Sequence, residues 1–124
     1  MSDSDSDIHK KLYKASRDGS DTRVRELLES GAEPHKYKNS VGDTALIGAA
    51  RRGRDSTVSI LLQHGADINI QNKDGDTALH TAAVEGRDKV TTSLLEAGAD
   101  PHLPGKGGKT PIQVAENEEI ARLE

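Results

Sequence analysis

Apolar residues in this chain come in short groups, each closed by a glycine. Val24, Leu27 and Leu28 fall on one face of a helix, and Val58, Leu61 and Leu62 do the same one stretch later. These groups, with Leu94-Leu95, run up to Gly31, Gly65 and Gly98, which fit left-handed helix ends. A second kind of group is rich in alanine: Ala45-Leu46 through Ala49-Ala50, and Ala78-Leu79 through Ala82-Ala83. Thr44, Thr77 and Thr110 stand before such stretches as suitable N-caps, and Pro111 takes a first helical position, where its missing N–H costs nothing. Gly53 and Gly86 supply the stop. The segments Ala66–Asp76 and Ala99–Lys109 are rich in Asp, Asn, Gly and Lys, and suit extended arms joined by a turn. The pattern predicts a helix, a turn, a second helix and an extended loop, then the same again.

The recurrence is literal. Gly42-Asp43-Thr44-Ala45-Leu46 returns as Gly75-Asp76-Thr77-Ala78-Leu79 and as Gly108-Lys109-Thr110-Pro111-Ile112, each step 33 residues. Gly53-Arg54-Asp55 returns as Gly86-Arg87-Asp88, and Gly65-Ala66-Asp67 as Gly98-Ala99-Asp100. A fainter copy, with Leu12, Ala15, Gly19, Leu27-Leu28 and Gly31-Ala32, lies 34 residues upstream. Four units follow, at about 8–38, 39–71, 72–104 and 105–124, the last abbreviated. One unit is too small to bury its apolar face, so the units must stack into one continuous core. Arg23 and Glu26 are polar where later units tend to be apolar, which suits the outer side of a first, capping unit. Asn117, Glu118, Glu119, Ile120 and Leu123 suggest a short closing turn and helix.

At these motifs the chain resembles the ankyrin-repeat family. Gly75-Asp76-Thr77-Ala78-Leu79-His80-Thr81-Ala82-Ala83 and Leu61-Leu62-Gln63-His64-Gly65-Ala66-Asp67-Ile68-Asn69 carry the likeness, which covers about residues 8–124. The family's usual Pro after Thr is Ala45 and Ala78 here, and only Pro111 keeps it. The resemblance implies an all-α solenoid of stacked helical hairpins with β-hairpin-like loops, and a protein-binding role as adaptor or stoichiometric inhibitor. It implies that His80 is structural, bonded to Thr77 and nearby backbone, and that Ile47 and Gln113 leave that network incomplete in their own units. Partners of ankyrin arrays meet the loop tips and the inner helices of the concave face. Carried over by register, those positions are Arg17 and Asp18; Ser40, Val41, Asp43, Arg51 and Arg52; Lys73, Asp74, Asp76, Val84 and Glu85; and Lys106 and Lys109. Tyr37 is the candidate aromatic anchor, with a cover over the first unit's core edge as the alternative. Length, four units and the short last unit also resemble the small myotrophin-like ankyrin proteins, which implies a regulator of the actin-capping heterodimer. Asn69 looks like an acceptor for the asparaginyl hydroxylase that modifies ankyrin domains, with a turn-stabilising Asn as the alternative.

Composition narrows the remaining choices. Apolar residues make up 32% of the 124 and aromatics 2%, with no Trp, Phe or Cys. The core must come from Leu, Ile, Val and Ala, so helices must approach closely, and thiolate chemistry is excluded. Residues 1–7 are polar and acidic, too poor in apolar surface to fold by themselves, and are expected to form a disordered tail. There Ser2, Ser4 and Ser6 alternate with Asp3, Asp5 and Asp7 as candidate phosphorylation sites for an acid-directed kinase. The tail lacks a signal peptide's apolar stretch and no run approaches a membrane span, so a cytoplasmic setting is expected ahead of a nuclear one.

The net charge of −4 divides into −3 over 1–8, +5 over 9–54 and −6 over 55–124. A basic first half could steer a charged partner. It also raises nucleic-acid binding as an alternative, opposed by overall acidity and the absence of stacking aromatics. His9, His35, His64, His80 and His102 are scattered without a metal-ligand spacing. Gly105-Lys106-Gly107-Gly108-Lys109-Thr110 lacks the phosphate-loop spacing and a preceding strand. The expectation is therefore a non-enzymatic protein, without cofactor or metal, monomeric by itself, binding a protein partner of unknown identity.

Overall fold

The computed structural model describes residues 2–115, with the side chains of 2–7 and of Lys106 excepted. The helix order is α1 (Ser2–Asp18), α2 (Asp21–Glu29), α3 (Ala45–Arg51), α4 (Asp55–Gln63), α5 (Ala78–Val84) and α6 (Asp88–Glu96). A 3-10 turn at Lys106–Gly108 follows, and a further helical stretch occupies 111–115, opened by Pro111. Consecutive helices pair as hairpins, α1 with α2, α3 with α4 and α5 with α6. Between hairpins, α1 packs on α3 and α3 on α5, while α2 packs on α4 and α4 on α6. The result is two parallel rows, an inner row of first helices and an outer row of second helices.

Each hairpin turn is made by the predicted glycine. Gly53 has φ +73° and Gly86 φ +71°, in the left-handed region that a side chain would penalise. The backbone then closes as a Schellman motif: Gly53 donates to the Ala50 carbonyl and Arg54 to the Ala49 carbonyl. A side chain on Gly53 would also meet Arg87 Cδ at 3.0 Å. That arginine of the next unit lies across the turn, and its Nε donates to the Arg51 carbonyl at 3.0 Å. The same device recurs one unit earlier, where Arg54 Nε reaches the Arg17 carbonyl at 3.1 Å. The recurring Gly-Arg is therefore a turn and a clamp: the glycine of one unit seats the arginine of the next.

The core lies between the two rows. Leu12, Leu46, Ala49, Leu79 and Ala82 enter it from the inner helices, and Val24, Val58, Leu61, Val90 and Leu94 from the outer ones. Ala49, Ala50 and Ala82 have no exposed surface, so small side chains set the inner-row spacing. Arg23 and Glu26 are exposed on the outer side of α2, as a first unit requires.

The arms between hairpins are narrower than β-hairpins, and no strand forms among the described residues. Each tip is held by two backbone bonds, Asn39 N–H to the Asp43 carbonyl and Gly42 N–H to the Asn39 carbonyl in the first, with Asn72, Asp76 and Gly75 repeating them in the second. Helix α1 starts at Ser2, so the backbone of the acidic segment expected to be disordered belongs to it. Ser2, Ser4 and Ser6, as side chains, fall outside the description, as does the expected closing element at Asn117–Leu123.

Thr77 caps α5 in a capping box: its side chain accepts from His80 N–H, and His80 Nδ1 accepts from Thr77 N–H at 3.1 Å. With Nδ1 accepting, Nε2 carries the proton and donates to the Lys109 carbonyl at 3.0 Å, tying the third unit to the fourth. His80 is buried, so replacing it leaves the Thr77 N–H and the Lys109 carbonyl without their partner. His80→Leu should lower the unfolding free energy in urea by about 1–3 kcal/mol. Ile47→Leu, at the equivalent position one unit earlier, should cost less than about 1.5 kcal/mol. Equal losses at the two positions would remove the special role given to His80.

Candidate functional site

The inner row and the first two loop tips enclose an open groove of about 400 Å³. Its lining brings together six of the residues expected to meet a partner: Arg17, Val41, Asp43, Arg51, Arg52 and Asp74. It adds three that the sequence reading did not select, Tyr13, Asn39 and Gly48.

Tyr13 is the aromatic wall. It occupies the register position of Ile47 and His80, and like His80 it reaches into the next unit, where its hydroxyl accepts from Asn39 Nδ2 at 2.9 Å. The faint alignment of Leu12 with Leu46 was the signal that could have placed it. Arg17 lies one turn on, its guanidinium carbon 5.9 Å from the Tyr13 ring centre. Gly48 is explained by the same ring: a Cβ there would meet Tyr13 Cε1 at 3.0 Å. A glycine inside a seven-residue helix costs helix propensity, and here it admits the tyrosine. Tyr37 stands behind, its ring centre 5.4 Å from that of Tyr13 and tilted by 53°. Among the described residues Tyr37 is a half-buried prop for Tyr13 and does not line the groove. Its geometry corresponds to the cover, the alternative to an anchor.

Asp43 is only 2% exposed, so it is a poor contact residue. Arg51 Nη2 donates to its Oδ2 at 2.8 Å and Asn72 Nδ2 to its Oδ1 at 2.8 Å. Asn72 thus joins the second unit to the third, and Arg51 fixes a wall of the groove while its side chain stays 41% exposed. Burial lowers the Arg51 guanidinium's pKa, and the Asp43 hydrogen bond and charge more than reverse this, leaving it above its ordinary value. Arg52, the next residue, is exposed.

The loop tips carry the rest. Asn39 Oδ1 accepts from the N–H groups of Val41 and Asp43, and Asn72 Oδ1 from those of Asp74 and Asp76, so an Asx turn sets each tip. Lys73 joins the two tips: its N–H donates to the Val41 carbonyl and its Nζ to the Ser40 carbonyl at 2.9 Å. Val41 is 44% exposed and Val84 42%, the apolar surface that this face offers to solvent. Glu85 follows Val84 at the end of α5, exposed, and Asp18 pairs with Arg17 at 3.3 Å. Lys109 is exposed and lends its carbonyl to His80, while the Lys106 side chain lies outside the description. Asn69 is exposed at the second loop, its N–H on Asp67 Oδ1 and its Oδ1 accepting from Asp100 N–H at 3.1 Å. That is the geometry of a turn-stabilising Asn linking two loops. No group of three or more His, Asp or Glu among the described residues is placed to hold a metal ion.

Asp76 is half-buried, and desolvation raises its carboxyl above the ordinary 3.8, with the nearby His80 pulling it back and Asp74 adding to the rise. The folded chain therefore holds this proton more tightly than the unfolded chain. Stability falls as the pH climbs from 3.8 through the folded value, and the cost is complete above it. Asp76→Asn should raise Tm at neutral pH, and the gain should fade as the pH drops to 3.8 and below, seen in melts across that range. Arg51→Ala removes one of two donors from a buried carboxylate and should cost about 1–3 kcal/mol in urea unfolding. An unchanged midpoint would show that Asp43 does not need its arginine.

Comparison with known proteins agrees with this architecture. Residues 12–105 match the family described as ankyrin repeats (3 copies). The chain is 40% identical over 63 residues to the 2-5A-dependent ribonuclease of Mus musculus, covering 51% of this chain and 9% of that protein. It is 42% identical over 65 residues to a protein of Coxiella burnetii named for its ankyrin repeats, covering 50% of this chain and 18% of the relative. A transient receptor potential cation channel subfamily A member 1 homolog of Caenorhabditis elegans is 39% identical over 61 residues, covering 49% of this chain and 5% of the channel. The matched region is thus a small part of each relative. Ankyrin repeats are in general protein-interaction modules, and no helix among the described residues is long and apolar enough to cross a membrane. With stacked helical hairpins at a 33-residue period, capped by threonine and closed by glycine, the chain belongs to the ankyrin-repeat family.

Proposed function

We propose that the chain binds a partner protein through the groove walled by Tyr13, Val41, Arg51 and Arg52, acting as an adaptor or stoichiometric inhibitor. The observation that carries this is the groove's make-up. The edge of a largely buried tyrosine, an exposed valine and arginine heads line one groove, the mixture enriched where proteins meet. The backbone beneath is fixed by internal hydrogen bonds, so little ordering cost falls on binding.

The basic first half supports nucleic acid less well. Arg17 pairs with Asp18, Arg51 with Asp43, and Arg54 lies on the Arg17 carbonyl. These heads are engaged by neighbouring acceptors rather than set out as a row for phosphates. The resemblance to the small myotrophin-like ankyrin proteins makes the actin-capping heterodimer the first partner to try.

The test is a photo-cross-linking side chain at Val41, compared with one at Lys89, exposed on the outer helix α6. Adducts with partner protein, starting with the purified capping heterodimer and extending to lysate, should form from Val41 and be lost on adding excess unlabelled chain. Val41→Ser with Arg52→Glu should weaken the same interaction by roughly tenfold or more while Tm stays within a few degrees. Competable adducts from Lys89 alone would move the binding surface to the outer row.

A further inference from the structure

Asp43 and Asp76 stand at the same place in successive units, 33 residues apart, and their surroundings differ in the donors they meet. The two donors on Asp43, Arg51 and Asn72, have Val84 and Gly105 as their equivalents one unit later. Neither side chain can donate a hydrogen bond. Asp76 is half-buried all the same, and among the described residues no hydrogen bond reaches its carboxylate. A Cβ at residue 105 would lie 3.0 Å from both Asp76 Oδ1 and His80 Nε2 and 3.1 Å from the Gly75 carbonyl oxygen, so this glycine packs against the carboxylate without supplying a side-chain donor. A partly desolvated anion without donors is an unfavourable arrangement that a cation from outside would relieve.

Asp76 lies two residues from Asp74, a lining residue of the groove, and the lining at Arg17 and Arg52 is the reverse. The Arg52 guanidinium is exposed and, among the described residues, has no ion pair. Arg17, its side chain 36% exposed, pairs with its chain neighbour Asp18 and lies beside the Tyr13 ring. Arg51 is held by Asp43, and Val41 gives an apolar stretch. Accepting the concave groove as the partner surface, we infer that it takes an extended segment with an acidic side chain toward Arg17 and Arg52, an apolar side chain at Val41 and a basic side chain at Asp76. That order fixes the direction of the segment. Reversed, it would set an acid against Asp76 and a base among the arginines, and like-charge contacts of this kind exclude a register more strongly than good contacts select one.

The experiment uses the full chain as bait for random linear peptides displayed on phage, with the binding site of each winner mapped by hydrogen exchange. The expected winners protect Val41 and its neighbours and carry an Asp or Glu and a Lys or Arg in one constant order about an apolar residue. Arg52→Glu should weaken synthetic versions by roughly tenfold or more. Asp76→Lys should restore binding of peptides whose basic residue is changed to Glu; Asp76→Asn, which keeps the side chain's shape, should abolish the preference for the basic residue. Winners that protect the groove but show no charge order, or that ignore both Asp76 variants, overturn this inference and leave the groove as the binding surface. Winners that protect only the outer helices, or a selection that yields none, overturn the inference together with the reading on which it rests.

Discussion

A seven-residue helix is not stable by itself in water, and α3 and α5 are seven residues long. Helix nucleation costs more than so few backbone bonds return, and each helix has only one apolar stripe to bury. Stability comes from neighbours: each of the six helices packs on a partner in its own hairpin and on at least one in an adjacent hairpin. The alanines of the inner row make this possible because the closest approach between helices decides how much of each short stripe leaves water. Everything else in the molecule, from turn chemistry to groove, follows from the need to hold short helices in register.

Polar groups provide that register, by a different device at each junction. From the first unit to the second the ties are Tyr13 to Asn39, Arg54 to the Arg17 carbonyl, and Asp21 accepting from Ser56 and Thr57. From the second to the third they are Asn72 to Asp43, Arg87 to the Arg51 carbonyl and Ser93 to Asp55. From the third to the fourth the tie is His80 to the Lys109 carbonyl, and Gln71 to the Pro104 carbonyl adds to those from the second to the third. A single Thr-x-x-His in its full form is therefore enough. Where Ile47 replaces the histidine, the Asp43–Asn72 bond and the Lys73 strap perform the same task.

Much of the frame was readable because it depends on local chemistry. A threonine before an alanine-rich run, a glycine after it and a double leucine before the next glycine each act within a turn or two of helix. The clamps were not readable, because each joins residues one unit apart and only the fold brings them together. Gly-Arg was visible as a recurrence, but that Gly53 seats Arg87 required the stacking geometry. The same limit hid Tyr13. Its ring replaces the histidine of a motif whose threonine is absent from the first unit, so no local pattern marked it. Tyr37, conspicuous as an aromatic in a loop, proves to support it. Asp43 was expected as a contact residue, and its bonds to Arg51 and Asn72 make it a buried strut.

These struts bear on function. In a repeat array, equivalent positions share a backbone, so a change of side chain from one unit to the next alters the surface without altering the path of the chain. Where the inward partners persist, as around Asp43, the residue belongs to the frame. Where they are replaced, as Arg51 by Val84 and Asn72 by Gly105, the residue that remains loses its side-chain donors in the frame. Specificity in such a protein is thus written in the breaks of its own periodicity. The breaks can be located by asking of each repeated polar residue whether its donors recur with it.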